Sequence, residues 1–275
     1  MFMSSNGITF YLGTNVGNSR QNQEDNVILP NGFFLDADLV KSISEHRQTY
    51  EVIHKGNFEN GFLIAVSDGM GGHSSGEVAS GLTVKYLSEK YSRIIDESYL
   101  DEQFIINEIG SLNRSINSYS KRDACLRGMG ATLCGVICTN GMYYGVNVGD
   151  SRLYHYYNNH LEQLSTDHTE GQRLLKLNLL TEDEYQRFPR RKNLYKYIGI
   201  NSELIPDVFK IGNCIPESTL VLCSDGLTDA LSDEEIATVL RKSGSIEYRG
   251  HLLIDQALER NIGHGDNITL ILIEF

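Results

Sequence analysis

The chain has 275 residues, of which 40% are hydrophobic and 22% are charged, a balance that excludes an intrinsically disordered protein. Its length allows one large domain or two small ones with a substantial apolar core. Twenty-four Lys and Arg residues against 36 Asp and Glu residues give a net charge of −12, which argues against binding to nucleic acid or to an anionic membrane.

The N-terminal segment and the cysteines favour a soluble cytoplasmic protein. Residues 1–13 lack the basic and apolar regions of a signal peptide, and no apolar run is long enough to span a bilayer. The cysteines are odd in number and contain no CxxC pair, so we expect thiols in a reducing compartment and neither disulfides nor a zinc site. They are Cys125, Cys134, Cys138, Cys214 and Cys223.

The first half of the chain is predicted to contain strands followed by two helices. The strands are expected over residues 7–14 and 61–68, which are apolar runs of strand length. Ser74 or Ser75 is predicted to cap a helix over residues 76–95, and residues 99–120 carry apolar side chains at helical spacing.

Strand patterns dominate the second half. Asn140-Gly141 between two apolar runs is the strongest short signal for a hairpin, and Asn158-Asn159 predicts a second turn. Residues 166–206 are polar and helical and are predicted to form a surface excursion. The closing elements are predicted to be strands at residues 218–225 and 267–275 and helices at residues 232–243 and 251–262.

This order of elements indicates the α+β class with mainly antiparallel sheets, because regular alternation of strand and helix is missing. No Pro-rich or Gly-rich linker, internal repeat or low-complexity tract divides the sequence, and it contains only four prolines. We therefore expect a single domain over residues 1–275.

Carboxylates recur at the ends of apolar strands, often beside glycines. They are Glu24, Asp25, Asp68, Asp150, Asp225 and Asp266. A single Asp-Gly is more often only a turn, because Asp bonds to its own backbone and Gly permits positive φ. Repetition at several strand ends favours a bound hard cation such as Mg²⁺, Mn²⁺ or Ca²⁺, which would neutralise the mutual repulsion.

Six short motifs in chain order carry a resemblance to a known family. They are Arg20-x-x-Gln23-Glu24-Asp25, Asp68-Gly-Met-Gly-Gly, Gly130-Ala-Thr, Val148-Gly-Asp-Ser-Arg152, Ser224-Asp-Gly-Leu-Thr-Asp229 and Gly265-Asp-Asn267. The ordered series resembles the PPM family of type 2C metal-dependent Ser/Thr protein phosphatases, in its bacterial branch. The resemblance implies a central β-sandwich of two mainly antiparallel sheets flanked by helix pairs (α-β-β-α layers), with a flap at about residues 166–206.

The resemblance also implies a metal-ligand set. Asp68 is expected to bridge two divalent cations, Mn²⁺ or Mg²⁺, and the Gly69 carbonyl is expected to bind one of them. Asp225 and Asp266 are expected to bind the other cation, whereas Asp25 is expected to hold metal-bound water.

Three further residues match functional positions of the family. Glu24 is expected to act near Asp25 through water, Asp150 matches an acid that holds a third, weaker cation in bacterial relatives, and Arg20 matches the arginine that grips the substrate phosphate. The implied reaction is hydrolysis of phosphoserine and phosphothreonine in proteins by a bridging hydroxide on the binuclear centre, without a covalent phosphoenzyme. Phosphoprotein substrates, an opposing Ser/Thr kinase and a monomeric state are expected.

The sequence departs from the family pattern at three positions and in one segment. Gln23 replaces an Asn, and Asn15 replaces an Asp that is common in bacterial relatives. Met70 stands where animal relatives carry a His proposed as a general acid, so protonation of the leaving group is expected to fall to water. Residues 30–61 are longer than a hairpin needs and receive no functional assignment.

Other polar residues near the motifs receive simpler interpretations. His73 is interpreted as solvent-facing, and His168 and His264 as local hydrogen-bonding residues. Arg152 is interpreted as a support for Asp150, and Asp229 either supports Asp225 or starts a helix. The basic run at residues 190–192 is interpreted as a solvated face.

Two alternative functions remain open from the sequence. A pseudophosphatase would keep the fold and bind phosphoproteins without cleaving them, but such proteins usually lose metal-site acids, which are present here. A metal-dependent nuclease would also use clustered acids, but the net charge of −12 argues against binding a polyanion.

Overall fold

The computed structural model describes residues 7–58, 61–71, 75–96, 100–211, 216–261 and 265–275. Four residues with sequence-based expectations lie outside these ranges, namely His73, Ser74, Cys214 and His264. Within the described ranges, none of the helices has the length and apolar character needed to cross a lipid bilayer.

The described strands form two sheets in which neighbouring strands pair antiparallel. In chain order they are β1 (Ile8–Asn15), β2 (Asp25–Ile28), β3 (Tyr50–Gly56), β4 (Phe62–Met70), β5 (Gly130–Ala131), β6 (Leu133–Thr139), β7 (Met142–Val148), β8 (Arg152–Tyr157), β9 (His160–Gln163), β10 (Asp207–Ile211), β11 (Thr219–Cys223) and β12 (Ile268–Glu274). The first sheet has the order β3-β1-β12-β11-β8-β9. The second has the order β10-β7-β6-β4-β2, with β5 paired to β4.

Several helices begin at polar caps that the sequence supplies. In chain order they are α1 (Ala37–His46), α2 (Ser75–Glu89), α3 (Tyr91–Asp96), α4 (Glu102–Ser120), α5 (Glu170–Lys176), α6 (Glu182–Arg187), α7 (Asp225–Ala230), α8 (Asp233–Leu240) and α9 (Ile246–Arg260). Asp101 caps α4, and Ser232 with Glu235 forms a capping box at the start of α8. Each cap satisfies N–H groups that have no partner inside the helix.

Alternating side chains divide the structure into α-β-β-α layers. Phe62, Ile64 and Val66 of β4 pack between the two sheets, whereas Leu63 and Ala65 face the core shared with α2 and α4. A third core joins the outer face of the first sheet to α7, α8 and α9. The period of two residues in a strand makes this division possible, and the predicted β-sandwich flanked by helices is confirmed.

The predicted turns are confirmed where Asn and Gly adopt positive φ. Asn140 and Gly141 have φ of 49° and 72° and join β6 to β7. Asn158 and Asn159 have φ of 50° and 61° and join β8 to β9. Positive φ at both central residues gives the turn a twist that matches the flanking strands.

The structure differs from the predicted elements in several places, including the unpredicted helix α7 and the start of α9 at Ile246. The helix predicted over residues 76–95 is two helices, because the chain turns at Lys90 between α2 and α3. The Lys90 N–H reaches the carbonyls of both Tyr86 and Leu87 at 3.2 Å, a shared bond typical of a helix end. In the segment at residues 30–61, α1 and β3 form without having been predicted.

The excursion at residues 166–206 contains α5 and α6. Residues near its C-terminal end contact the sandwich and α4. Ala131 and Ile198 exchange backbone hydrogen bonds of 3.0 and 2.8 Å. The side chain of Asn113 in α4 accepts from the Gly199 N–H at 2.7 Å. These contacts hold the end of the excursion against β5 and α4.

Candidate metal and phosphate site

Strand ends bring the predicted carboxylates within electrostatic reach of one another. Asp25 begins β2 and is the register partner of Asp68 near the end of β4. Asp225 follows β11 and Asp266 precedes β12, and these two strands are neighbours in the other sheet. The charges of Asp25, Asp225, Asp150 and Asp266 all act on Asp68, so acids that are far apart in sequence share one region.

Asp68 is anchored through its backbone to Thr132. Its N–H donates to Thr132 Oγ1 at 2.9 Å, and its carbonyl accepts from the Thr132 N–H at 2.8 Å. Burial, followed by repulsion from Asp25 and Asp225, raises the pKa of Asp68 well above the usual carboxyl range. A divalent cation would remove this repulsion.

Gly69 lies where two other backbone segments touch β4. A Cβ added to Gly69 would lie 2.1 Å from the Gly76 carbonyl oxygen and 2.7 Å from the Glu24 carbonyl oxygen. The Gly69 N–H donates to that Glu24 carbonyl at 3.1 Å. The glycine beside Asp68 is therefore required by close backbone approach.

Asp25 is only 1% exposed, and its carboxylate is held by the side chains of Ser224 and Thr269. Ser224 Oγ donates to Asp25 Oδ2 at 2.7 Å and accepts from the Thr269 N–H at 3.0 Å. Asp25 Oδ1 is buried and has no hydrogen-bond partner among the described residues. Burial raises the pKa of Asp25 to about 7, and the charges of Asp266 and Asp225 contribute to the rise.

Asp225 shares a hydrogen bond with Asp68 and is crowded by a second acid from its own helix. Its side chain is 23% exposed, yet its Oδ1 is buried without a partner in the described part of the chain. Burial, then the charge of Asp229, raises the pKa of Asp225 to about 6. Asp229 lies near the end of α7, so its interpretation as a helix start is wrong and its charge acts on Asp225.

A lysine from the excursion reaches these acids. Lys192 binds Asp229, and its Nζ lies 4.0 Å from Asp225 Oδ2. Lys192 opposes the rise in the pKa of Asp225 and also that of Asp150. The interpretation of the basic run as a solvated face is therefore wrong for Lys192.

Arg20 pairs with the two acids at the open side of the site. Its Nη2 lies 2.7 Å from Asp266 Oδ2, and its Nη1 lies 3.6 Å from Glu24 Oε2. The Arg20 side chain is 49% exposed, so an incoming anion can reach it. Its planar guanidinium suits two parallel hydrogen bonds to phosphoryl oxygens.

Asn267 holds together the backbone on both sides of Arg20. Its Oδ1 accepts from the Glu24 N–H at 2.7 Å. Its Nδ2 donates to the carbonyls of Val16 at 2.8 Å and Asn22 at 3.0 Å. The loop that carries Arg20 is thus fixed by an amide next to Asp266.

His168 fixes the turn that carries Asp150. The Gly149 N–H donates to His168 Nδ1 at 3.1 Å, so Nε2 carries the proton and faces Asp207 Oδ2 at 3.1 Å. The interpretation of His168 as a local hydrogen-bonding residue is confirmed by these contacts. Burial, followed by the charges of Asp225 and Asp167, raises the pKa of Asp150 to about 8.

Arg152 supports a different acid from the one expected. Its Nε lies 3.0 and 3.1 Å from the two carboxylate oxygens of Asp167, and its Nη2 lies 2.7 Å from Oδ2. Its Nη1 donates to the Tyr154 hydroxyl at 2.9 Å. The interpretation of Arg152 as a direct support for Asp150 is therefore wrong, because its guanidinium is engaged by Asp167.

The oxygen atoms of these acids are of the type that hard divalent cations bind, although they do not surround a single point. In the part of the chain that the structure describes, no three or more His, Cys, Asp or Glu side chains are arranged to hold a metal ion already. The buried Oδ1 atoms of Asp25 and Asp225 nevertheless have no hydrogen-bond donor among the described residues, which leaves their lone pairs available to a cation or to water. Carboxylate and carbonyl oxygens are the ligands that Mg²⁺ and Mn²⁺ prefer.

Sequence reasoning assigned no role to several residues that hold the acids. Thr132, Ser224 and Asn267 lie inside the quoted motifs, but their side-chain partners are distant in sequence. The sequence contained one indication of such a supporting role, because a Ser precedes each of the two Asp-Gly pairs. Ser67 Oγ donates to the Thr132 carbonyl at 2.8 Å, and Ser224 Oγ donates to Asp25, so both serines brace the acids.

Known proteins share both the sequence and the fold. The family model described as Protein phosphatase 2C matches residues 52–248. The serine/threonine phosphatase stp of Listeria welshimeri is 33% identical over 220 residues, which are 79% of this chain and 86% of that protein. The family expected from the motifs is therefore confirmed.

Solved structures of serine/threonine phosphatases superpose on nearly the whole chain. The S. agalactiae serine/threonine phosphatase has a TM-score of 0.81 and 29% identity, covering 97% of this chain and 99% of that chain. The catalytic domain of the phosphatase PstP in complex with two manganese ions has a TM-score of 0.70 and 26% identity, covering 97% and 98% of the two chains.

Proposed function

Because this chain belongs to the protein phosphatase 2C family of serine/threonine protein phosphatases, we propose that it hydrolyses phosphoserine and phosphothreonine at the carboxylate cluster around Asp68. The observation that carries this proposal is the pair of buried oxygens, Asp25 Oδ1 and Asp225 Oδ1, that have no hydrogen-bond partner in the described ranges. Buried polar atoms are rarely left without a partner, and here both belong to acids whose charges act on Asp68.

Two divalent cations, Mn²⁺ or Mg²⁺, are proposed as cofactors of this site. We assign Asp68, the Gly69 carbonyl, Asp225 and Asp266 as ligands, and Asp25 as an acid that acts through water. The chemistry that such cations supply when bound is a lowered pKa of water and neutralisation of the phosphoryl charge. A related phosphatase that crystallised with two manganese ions supports the assignment.

Two other acids have lesser proposed roles. Glu24 is proposed to act through water beside Asp25, because its carboxylate lies 3.6 Å from Arg20 at the open side of the site. Asp150 is proposed to hold a third, weaker cation together with Asp225, whose charge is the main electrostatic influence on it.

Arg20 is proposed to bind the substrate phosphate. Arg20 pairs with Asp266, and the phosphate would replace this carboxylate as its partner if bound cations neutralised the negative charge of the acid. Water attacks phosphorus in this mechanism, so no side chain of the protein has to form a covalent phosphoenzyme. Proton transfer to the leaving group is proposed to come from solvent, since Met70 cannot donate a proton.

The substrates are proposed to be phosphoproteins, and a Ser/Thr kinase is proposed to oppose the enzyme. We also propose that one phosphatase domain spans residues 1–275, with its flap at about residues 166–206. The pairing of β1 with β12 along seven residues supports this, because it joins both ends of the chain in one sheet. The cytoplasmic location stays a prediction.

Hydrolysis of an aryl phosphate with and without Mn²⁺ tests the proposed function. Asp68→Asn should lower kcat by about a thousandfold, because one carboxylate charge is removed from the reacting centre. Asp123→Asn, which alters an exposed acid that caps a short turn, should keep full activity. Full turnover under strong chelation would refute the metal mechanism, whereas metal binding without turnover would favour a pseudophosphatase.

A further inference from the structure

The segment at residues 30–61 builds one wall of a large groove beside the phosphate site. The groove has a volume of about 930 Å³ and runs between α1 and α2. Its floor includes Asn26, Phe34 and Leu35. Pockets of this size enclose whole small ligands, so several amino-acid side chains fit in it.

One face of each helix is turned towards the groove. From α2 the lining residues are Glu77, Val78, Gly81, Leu82 and Lys85, at i, i+1, i+4, i+5 and i+8. From α1 they are Ala37, Val40, Lys41, Ser44 and Glu45. Such spacing puts each set on one helix face. Apolar side chains therefore lie between charged residues of both signs, as in surfaces that bind polypeptide segments.

The α1 wall is fastened to the loop that carries Arg20. Ser44 Oγ accepts from the Gln23 N–H at 2.9 Å. The guanidinium of Arg47, just after α1, donates to the carbonyls of Gly17 at 2.6 Å and Arg20 at 3.0 Å. The wall and the phosphate-binding arginine are therefore held in a fixed relation.

The floor of the groove is held by a buried amide next to Asp25. Asn26 Nδ2 donates to the Leu35 carbonyl at 2.9 Å, and Asn26 Oδ1 accepts from the Leu35 N–H at 3.1 Å. These two hydrogen bonds join the segment at residues 30–61 to β2, next to Asp25 of the carboxylate cluster.

The groove lies next to the proposed phosphate site. Gln21 and Asn22 line it and directly follow Arg20 in the chain. On the opposite side, Glu77 lines the groove and follows Gly76, where an added Cβ would lie 2.8 Å from Glu24 Oε1. Both walls thus end at residues adjoining the phosphate site.

Gly81 keeps the middle of the groove open. A glycine inside a helix costs about 1 kcal/mol relative to alanine. Packing does not require it here, because a Cβ at Gly81 would meet only Asn26 Nδ2, at 3.9 Å. A larger residue would stabilise α2 but project into the groove.

We propose that the groove between α1 and α2 binds the polypeptide segment that flanks the phosphoresidue of a phosphoprotein substrate. Apolar side chains of that segment would pack on Phe34, Val40, Val78 and Leu82 while Arg20 holds the phosphate. This inference rests on the proposed function and assigns substrate selection to the segment at residues 30–61.

The groove can be tested with phosphothreonine peptides that have Ala on both sides of the phosphothreonine. Each peptide of the series carries one Leu in place of Ala, at a different position. With the wild-type protein and Mn²⁺, Leu at one or more positions should raise kcat/KM by about tenfold over the Leu-free peptide. Gly81→Trp fills the groove and should abolish this gain, whereas Gly81→Ala leaves it open and should keep the gain. Aryl phosphate, which cannot reach the groove, should be turned over equally by all three proteins.

Three outcomes would overturn the groove assignment and leave the proposed function intact. Normal aryl phosphate turnover without any Leu preference would refute it alone, as would a Leu preference that survives in Gly81→Trp. A change from dimer to monomer in Gly81→Trp, measured by light scattering, would mean that two copies pair through the groove. Absence of aryl phosphate turnover in the wild-type protein would instead refute the proposed function, and the groove assignment with it.

Discussion

Ser224 hydrogen-bonds to Asp25, the most deeply buried acid of the site. Its hydroxyl is the donor to Asp25 Oδ2, and the other oxygen of that carboxylate has no partner among the described residues. Removing this hydroxyl takes away one of the two side-chain hydrogen bonds that orient the Asp25 carboxylate, the other being with Thr269.

Ser224→Ala should therefore weaken Mn²⁺ binding by about tenfold. The measurement is calorimetric titration of the metal-free protein. Thr238→Ala removes an exposed hydroxyl that donates to the Glu234 carbonyl within α8, and it should bind Mn²⁺ like the wild type. Unchanged affinity in Ser224→Ala would show that Asp25 is positioned without the serine.

The raised carboxyl pKa values predict an inverted pH dependence for the metal-free protein. The pKa is about 7 for Asp25, about 6 for Asp225 and about 8 for Asp150, all above the value of an unfolded carboxyl group. Between about pH 4 and pH 8 the folded state therefore binds more protons than the unfolded state. The contribution of these acids to stability consequently falls as pH rises.

Asp25→Asn should isolate this effect in thermal unfolding under chelation. The variant and the wild type should melt together near pH 4, and the variant should melt higher by about 5 °C near pH 8, because it has no charge to bury. Added Mn²⁺ should reverse the order, since only the wild type keeps the carboxylate. A variant that melts lower at high pH without metal would contradict the cause given for the pKa shift.

At the scale of elements, the excursion at residues 166–206 brings a positively charged side chain to the acids of α7. Lys192 lies in the excursion between β9 and β10, whereas Asp225 and Asp229 belong to α7. The lysine partly neutralises the same acids that would bind a divalent cation, so the two compete electrostatically.

Lys192→Ala should tighten Mn²⁺ binding by about threefold to tenfold, because it removes a positive charge near Asp225. Titration of the metal-free protein measures the change. Arg190→Ala is the matched control, since Arg190 pairs with Glu170 and both residues belong to the excursion at residues 166–206. Weaker binding in Lys192→Ala would mean that the lysine instead holds α7 in its binding conformation.

At the scale of the whole molecule, the core between the sheets sets the positions of β4 and β2. Phe62 is fully buried, and its ring centroid lies 5.3 Å from that of Phe10 in the opposite sheet. The strand that begins at Phe62 ends beside Asp68, so packing between the sheets fixes one side of the site.

Phe62→Ala should lower the free energy of unfolding by about 3–5 kcal/mol, as expected for truncation of a buried aromatic side chain. Urea unfolding of the chelated protein gives this value. Phe33→Ala, at a residue that is 41% exposed, should lower it by less than about 1 kcal/mol. Similar losses in both variants would contradict the role of the core between the sheets.

Local patterns in the sequence were sufficient for much of the fold. The Asn140-Gly141 hairpin and the Ser232 cap depend on residues that are close in the chain, so their chemistry is visible in a short window. Acids at strand ends and the order of the motifs gave the family, which the comparisons confirmed. The helix α1 was missed although Leu39, Val40 and Ile43 have helical spacing, because its ten residues are shorter than the window over which such periodicity is recognised.

The sequence by itself determined the α+β class, the turns and the acids available for metal chemistry, because propensity and patterning act over a few residues. Only the tertiary structure decided which atoms meet. Ser224 contacts Asp25 although 199 residues separate them, because strand pairing brings them together. Lys192 lies beside α7 because the excursion at residues 166–206 passes that helix. Contacts at such separation depend on the packing of the whole chain, which no short window of sequence contains.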